Sequence, residues 1–289
     1  MSDVVERRYT SVDGLKLYAR DYAGAEGHAR LPVVCIHGLT RNSKDFADVA
    51  PYIAETGRRV LAPDVRGRGR SAYDPKPMNY QPMTYARDVL DLFGQLGIER
   101  AVFVGTSMGG LIAMTLAAVR SRAVAAVALN DIGPQVSPVG LARIAAYTGK
   151  PVSIETWEDA AAYAKETNGV AFPQNTEADW MDFARRTFRD EGGKPVRDYD
   201  PDISAPIRAA GAKALTPNLW PMFRAMARAR PMLLVRGALS DLLDAETATK
   251  MRRAAPKMAY AEVPNVGHAP TLSEPEAKAA LLKFLADAP

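Results

Sequence analysis

Ser107 lies in a short glycine-rich segment, residues 105–109, with the sequence Gly-Thr-Ser-Met-Gly. This segment follows the apolar run 101–104 and precedes a helix-like pattern over 108–120. Its two glycines permit a sharp turn from a strand into a helix, which presents the serine hydroxyl at the edge of a sheet. The helix N-terminus also favours negative charge that develops on a substrate. We therefore predict that Ser107 is a nucleophile; the alternative is a serine that only caps the helix.

A serine hydroxyl is a weak nucleophile and needs a base within hydrogen-bond distance. The chain contains three histidines. His28 lies in a polar, glycine-rich stretch that we expect to be an exposed loop, and His37 ends an early apolar run. His268 follows the last predicted strand, 258–263, and precedes a helical pattern over 274–286. A loop in that position lies at the same sheet edge as Ser107, so His268 is the predicted base.

Two aspartates are candidates for the carboxylate that orients this histidine. Asp241 follows the apolar run 232–235, and Asp131 follows the run 124–129 one strand earlier. Asp244 is a weaker candidate, because its position suits a helix N-cap. We predict Asp241 as the third residue and retain Asp131 as the alternative acid.

Short apolar runs alternate with amphipathic segments through much of the chain, which is typical of a parallel sheet covered by helices on both faces. Before them, residues 4–10 and 15–22 flank the turn dipeptide Asp13–Gly14, which predicts an antiparallel hairpin at a sheet edge. The predicted fold is therefore an α/β class, doubly wound, mostly parallel sheet with an antiparallel N-terminal hairpin. The predicted strands are 33–36, 60–62, 101–104, 124–129, 232–235 and 258–263, and the predicted helices are 44–55, 84–97, 108–120, 245–254 and 274–286.

The alternation stops between residues 135 and 216, where aromatic residues occur in helix-like patterns interrupted by prolines. We interpret this stretch as a helical cap inserted over the sheet. The core domain then consists of residues 1–134 and 217–289, with the return to the core near Pro217.

The formal net charge is +4, but the basic residues are scattered rather than clustered, which argues against nucleic-acid binding. No stretch reaches the ~18 apolar residues of a membrane span, and no apolar secretion signal begins the chain. We therefore expect a cytoplasmic protein without a nucleic-acid or membrane partner. Cys35 is the only cysteine and lies in an apolar run, so the chain lacks zinc-like ligand spacing and no metal is predicted.

The glycines of residues 64–71 superficially match a dinucleotide fingerprint. Asp74, Pro75 and Pro77 follow where that fingerprint needs a helix. We therefore predict no cofactor and interpret the glycines as parts of a tight turn.

Taken together, His37–Gly38, the 105–109 motif, Asp241 and Gly267–His268 resemble the α/β-hydrolase superfamily, in which the order along the chain is serine, acid, histidine. The resemblance covers the chain apart from the insertion. It implies that the histidine at 37 shapes the loop after the third strand rather than acting as the base. It also implies an oxyanion hole formed by the backbone N–H groups of Leu39 and Met108.

A serine at this position excludes the relatives that use an aspartate nucleophile, the haloalkane dehalogenases and epoxide hydrolases. We expect a serine esterase or lactonase of the carboxylic-ester hydrolase class, acting on a small ester or lactone through an acyl-enzyme. One alternative is carbon–carbon hydrolysis of a diketo acid, although Ala269 and Pro270 replace the aromatic residue usual after the histidine in those enzymes. The alternative of another class is a small-molecule receptor or slow-turnover pseudo-hydrolase. Three arginines of the insertion are candidate contacts for a substrate carboxylate, with a solvated helix face as the favoured alternative for each: Arg143, Arg185 and Arg186.

Overall fold

A computed structural model describes residues 4–24, 30–210 and 218–289; His28 and Pro217 lie outside these residues. Eight strands form one sheet in the order β1-β2-β4-β3-β5-β6-β9-β10, and β7 and β8 form a separate hairpin. The strands of the described residues are β1 (Val4–Thr10), β2 (Lys16–Tyr22), β3 (Val33–Ile36), β4 (Val60–Asp64), β5 (Ala101–Thr106), β6 (Val124–Asn130), β7 (Phe188–Glu191), β8 (Lys194–Arg197), β9 (Met232–Gly237) and β10 (Ala259–Val263).

Six strands of the sheet, from β4 to β10 in spatial order, run parallel. The strand β2 pairs antiparallel with both β1 and β4. The prediction of a mostly parallel sheet with an antiparallel hairpin at its edge is confirmed. Because β3, β5, β6 and β9 are parallel neighbours, the loops that follow them all emerge at one edge of the sheet.

Helices cover both faces of the sheet, and the parallel strands are buried on both sides. Alternate residues of β3 show this: Val34 and Ile36 belong to one apolar core, and Val33 and Cys35 belong to the other. The helices are α1 (Val49–Ala54), α2 (Pro82–Leu96), α3 (Met108–Val119), α4 (Pro138–Tyr147), α5 (Trp157–Asn168), α6 (Glu177–Thr187), α7 (Ala205–Ala210), α8 (Trp220–Ala229), α9 (Ala245–Ala254) and α10 (Pro275–Asp287).

The predicted helix over 44–55 is divided into two elements. A 3₁₀ turn at Ser43–Phe46 is capped by the Asn42 side chain, and α1 begins three residues later. Pro51 explains the break, because it has no N–H to donate to the carbonyl of residue 47. An uninterrupted helix across this region is therefore disfavoured.

The stretch assigned to the cap contains α4–α7 and the β7–β8 hairpin. Its helices α5 and α6 pack around Trp180, which is 2% exposed, in a small apolar core of their own. The hairpin was not predicted. The feature of the sequence that indicates the hairpin is the dipeptide Gly192–Gly193. Both glycines have positive φ angles, 65° and 90°, as tight hairpin turns require.

Candidate active site

Ser107 occupies the turn between β5 and α3 with φ 52° and ψ −115°, a backbone conformation that L-residues rarely adopt. The two glycines of the motif make the turn possible. A Cβ atom on Gly109 would lie 2.0 Å from the carbonyl oxygen of Ile36, and one on Gly105 would lie 2.5 Å from the backbone of Gly109. The helix α3 therefore begins directly beside β3, with Ser107 at the sheet edge.

The side chains of Ser107, His268 and Asp131 form one continuous chain of hydrogen bonds. His268 Nε2 lies 2.8 Å from Ser107 Oγ, and His268 Nδ1 lies 2.8 Å from Asp131 Oδ2. A carboxylate is an acceptor only, so Nδ1 carries the proton that is donated to Asp131. The lone pair on Nε2 is then directed at the serine hydroxyl, which is the tautomer a general base needs.

Asp131 is fully buried at the end of β6. Besides His268 Nδ1, its carboxylate accepts the backbone N–H of Gly237 at 2.9 Å and the hydroxyl of Ser240 at 2.5 Å. Three donors, one at the end of β9 and two in the loops after β9 and β10, thus fix the direction of this carboxylate. Ser240 was not singled out in the sequence, although it lies one residue before the predicted acid.

The prediction that Asp241 contacts the histidine is wrong in this geometry. Its carboxylate is bound by the Arg143 guanidinium of α4, with Nε to Oδ2 at 2.6 Å and Nη2 to Oδ1 at 2.8 Å. The hydrogen bonds with Arg143 lower the pKa of the Asp241 carboxyl. The physical reason lies in the turn after β9. There the Ser240 hydroxyl accepts the N–H groups of Leu242 and Leu243, which holds Ser240 inward and directs the next side chain towards α4.

Asn130 connects the three loops that supply these residues. Its side-chain amide donates to Thr106 Oγ1 at 3.0 Å and to the carbonyl oxygen of Pro270 at 2.8 Å. Its own carbonyl accepts the N–H of Ser107 at 3.0 Å. One residue at the end of β6 therefore sets the spacing between the turn that carries Ser107 and the loop that carries His268.

The loop after β3 places the peptide between Gly38 and Leu39 next to the serine. A Cβ atom on Gly38 would lie 3.8 Å from Ser107 Cβ. The carbonyl of that peptide accepts His37 Nδ1 at 2.7 Å. In a trans peptide the N–H points opposite to the carbonyl, so the Leu39 N–H is directed away from His37. Within residues 4–24, 30–210 and 218–289, neither this N–H nor that of Met108, the first residue of α3, donates to another protein group.

His37 is fully buried, and its two ring nitrogens have opposite roles. Nδ1 donates to the Gly38 carbonyl, and Nε2 accepts the N–H of Val65 at 3.0 Å. Only the neutral imidazole can do both. Burial lowers the pKa of His37 to about 4, which keeps the ring neutral at physiological pH.

We expect this histidine to make the protein less stable in mild acid. In the unfolded chain His37 binds a proton as the pH falls below about 6.5. In the folded chain it binds that proton only as the pH approaches about 4. The free energy of unfolding should therefore fall as the pH falls between these limits, by about 3 kcal/mol in total. The measurement is denaturant unfolding from pH 4.5 to 7.5 for the wild type and His37→Asn, whose amide cannot titrate.

A steeper pH dependence in the wild type than in His37→Asn is the expected difference; parallel curves would contradict it. If His37→Asn does not fold, the ring nitrogen resonances of the wild type report the same property. They should show a neutral Nδ1–H imidazole down to pH 5.

A cavity of about 290 Å³ opens over Ser107 and His268. Its apolar wall comes mainly from residues 144–183, and its polar wall comes from the loop after β3 and from α6. The apolar lining consists of Leu39, Phe46, Ile144, Tyr147, Phe172 and Phe183, and the charged lining consists of Arg41, Asp45, Asp48, Asp179, Asp182 and Arg186.

The arginines at or near this cavity already have partners. Arg41 binds Asp45 and stacks over the Phe183 ring, with its guanidinium carbon 4.1 Å from the ring centroid. Arg186 pairs with Asp48 at 2.7 Å. Of the three arginines considered in the sequence, Arg186 lines the cavity, Arg143 binds Asp241, and Arg185 stacks on Trp157.

In the part of the chain that the structure describes, no three His, Cys, Asp or Glu side chains cluster as metal ligands. No helix there is long and apolar enough to cross a membrane. Cys35 is buried in β3, and burial raises the pKa of its thiol, so the thiol is unreactive.

The chain is similar in sequence and in fold to known hydrolases. A 3-hydroxybutyrate-oligomer hydrolase of Cupriavidus necator is 38% identical over 250 residues, which are 84% of each chain. A 2-(acetamidomethylene)succinate hydrolase of Mesorhizobium japonicum is 29% identical over 233 residues, 80% of this chain and 79% of that one. The crystal structure of an alpha/beta hydrolase from Novosphingobium aromaticivorans is 44% identical, covers 99% of both chains and superposes with a TM-score of 0.91.

The sequence model of the Alpha/beta hydrolase family matches residues 33–281. This range begins at β3 and ends within α10, and it includes the serine turn, both candidate aspartates and the histidine loop. The chain belongs to the alpha/beta hydrolase family.

Proposed function

We propose that the protein is a serine esterase that hydrolyses short linear oligoesters of 3-hydroxybutyrate. The observation that carries the proposal is the hydrogen-bonded chain from Asp131 through His268 to Ser107 at the base of a cavity. The choice of substrate is supported by the 38% identity, over 84% of both chains, to a 3-hydroxybutyrate-oligomer hydrolase.

In the proposed reaction, Ser107 Oγ attacks the ester carbonyl while His268 Nε2 takes the hydroxyl proton. The N–H groups of Leu39 and Met108 stabilise the oxyanion. Collapse of this intermediate breaks the ester bond, and the imidazolium returns the proton to the departing hydroxyl of the next unit. Water, activated by His268, then hydrolyses the acyl-enzyme to the acid and free Ser107. Asp131 holds the imidazole and stabilises its protonated form.

The cavity volume supports a short substrate. About 290 Å³ is at the lower end of the range for small-molecule sites. The cap side chains Ile144, Phe172 and Phe183 offer an apolar wall for the methyl groups of the hydroxyacid units. Because Arg41 and Arg186 are already paired with aspartates, we expect the free carboxylate of the oligomer to remain at the open mouth.

The test uses the purified protein with the linear dimer and trimer of 3-hydroxybutyrate, and chromatography follows release of the monomer acid. We expect a kcat/KM of at least about 10⁴ M⁻¹s⁻¹, the lower end of the usual range for enzymes, and no activity in Ser107→Ala. p-Nitrophenyl butyrate serves as a general ester, and an acyl lactone serves as a cyclic ester. 2-(Acetamidomethylene)succinate represents the second relative, and a vinylogous diketo acid represents carbon–carbon hydrolysis.

Each pattern of activity has a distinct meaning. Hydrolysis of p-nitrophenyl butyrate without hydrolysis of the oligomers would refute the oligoester assignment and retain a serine esterase. Preferential turnover of 2-(acetamidomethylene)succinate would assign amide hydrolysis instead of ester hydrolysis. Preferential turnover of a diketo acid would assign carbon–carbon hydrolysis. Binding of these compounds with less than one turnover per hour would indicate a receptor.

A further inference from the structure

Arg68 is a fully buried arginine in the loop after β4. Its guanidinium donates to the carbonyl of Leu39 at 2.9 Å, to the carbonyl of Arg66 at 2.8 Å and to the hydroxyl of Tyr85 at 2.9 Å. It also lies over the ring of Tyr85, with its central carbon 5.0 Å from the ring centroid. Within the described ranges, no carboxylate forms a salt bridge with it. Buried charges are ordinarily paired, so a cation satisfied by neutral groups requires a reason.

Arg68 contacts the two residues whose backbone N–H groups form the candidate oxyanion hole, Leu39 and Met108. Its Nε binds the carbonyl of Leu39, and its Nη2 lies 3.6 Å from the Sδ of Met108. Arg68 does not line the cavity, so it acts through these residues and not on the substrate.

We propose that Arg68 is a positioning residue of the oxyanion hole: it fixes the peptide that follows Leu39, and it places a positive charge with no salt-bridge partner among the described residues beside the site where the oxyanion forms. This inference rests on the proposed esterase function. His37 holds the peptide that precedes Leu39, and Arg68 holds the peptide that follows it. With both neighbouring carbonyls held, the Leu39 N–H has one direction available.

The positive charge of Arg68, like its hydrogen bonds, favours the oxyanion. A guanidinium that has no carboxylate partner projects its field into its surroundings. Inside a protein that field is reduced far less than in water. Preorganised positive charge of this kind stabilises the tetrahedral intermediate more than the neutral ester, which lowers the barrier rather than improving substrate binding.

The loop that carries Arg68 is itself held by the segment that leaves the β7–β8 hairpin. Gly69 N–H donates to the carbonyl of Asp198 at 2.8 Å, and Asp200 N–H donates to the carbonyl of Gly67 at 2.8 Å. Arg68 therefore lies between two backbone hydrogen bonds to the inserted region. Its backbone is fixed from that side while its side chain fixes Leu39.

The experiment compares Arg68→Met and Arg68→Lys with the matched control Arg58→Met. Arg58 is also fully buried and donates to backbone carbonyls, those of Leu31, Leu285 and Ala288. Because Leu31 precedes β3 whereas Leu39 follows it, Arg58 lies at the opposite edge of the sheet. Loss of either arginine removes a similar set of buried hydrogen bonds. Arg58→Met therefore measures how much activity is lost through destabilised folding alone.

For Arg68→Met we expect kcat on p-nitrophenyl butyrate to fall about 100-fold with KM changed less than about threefold, as loss of an oxyanion-hole donor does. Arg68→Lys retains the charge and should lose about 10-fold. The readout that a structural role would not change is the affinity for an alkyl trifluoromethyl ketone. Ser107 adds to its carbonyl and His268 takes the proton, which leaves an oxyanion in the hole. Its affinity should fall in proportion to kcat.

A kcat for Arg68→Met within threefold of wild type, or a loss no larger than that of Arg58→Met, would overturn the inference. So would a kcat loss without weaker ketone binding. If Arg68→Met does not fold, the kcat and the ketone affinity of Arg68→Lys are compared with those of the wild type and Arg58→Met instead. These outcomes are separate from failure of the proposed function, in which the wild type itself would hydrolyse no ester and bind no ketone.

Discussion

Ser107→Ala and His268→Ala are each expected to lower kcat for ester hydrolysis by about 10⁵- to 10⁶-fold. Members of such a unit act together, so loss of either one removes most of what the unit contributes. In this structure the two side chains are in direct contact at 2.8 Å. Without His268 the hydroxyl keeps its proton, and without Ser107 the imidazole has nothing to activate.

The measurement is labelling by a fluorophosphonate, read as intact mass and as the modified peptide, alongside steady-state kinetics. The wild type should take up one label at Ser107, and both variants should take up none on the same timescale. Ser273 is a matched control serine, because it also lines the cavity but has no hydrogen bond to a histidine within the described residues. Ser273→Ala should be labelled like the wild type. Labelling that persists in Ser107→Ala would disprove the assignment.

Asp131→Asn is expected to lower kcat by about 10⁴-fold without unfolding the protein. The amide has nearly the same shape as the carboxylate, but its NH₂ group is a donor. Facing His268 Nδ1, it would favour the tautomer with the proton on Nε2, and that nitrogen could no longer accept the serine proton. The loss should appear in kcat much more than in KM.

Asp241→Asn is the matched control, since Asp241 also follows a central parallel strand. It removes the charge of a partly buried, bidentate pair with Arg143, for which we expect a loss of about 1 kcal/mol of stability and a kcat within about 10-fold of wild type. Steady-state kinetics and thermal unfolding of both variants make the comparison. The reverse ranking of the two kcat values would assign the orienting role to Asp241.

The sequence determined the fold because its signals are local or repetitive. Apolar runs separated by amphipathic segments specify buried parallel strands and their covering helices without reference to distant residues. The motif around Ser107 is equally local, since Gly105 and Gly109 are required by close contacts within and beside the turn. The position of His268 followed from the rule that loops after parallel strands share one edge.

The identity of the carboxylate at His268 was decided only by tertiary structure. Asp131 and Asp241 both follow parallel strands, and the order of residues along the chain allows either. The choice depends on which side chain turns inward, and a serine hydroxyl in the loop after β9 and an arginine on α4 set that direction. Both contacts join residues about 100 positions apart, so no local pattern encodes them.

The surroundings of Arg68 were likewise decided by tertiary structure and not by local sequence. Its sequence context, a basic residue between two glycines, is typical of an exposed turn, and the turn itself was predicted. Its burial arises because strand order places the loop after β4 beside the loop after β3, with the Leu39 carbonyl and two tyrosines around the guanidinium. The sequence determined the elements and the chemical groups they carry, whereas packing between elements decided which of those groups meet.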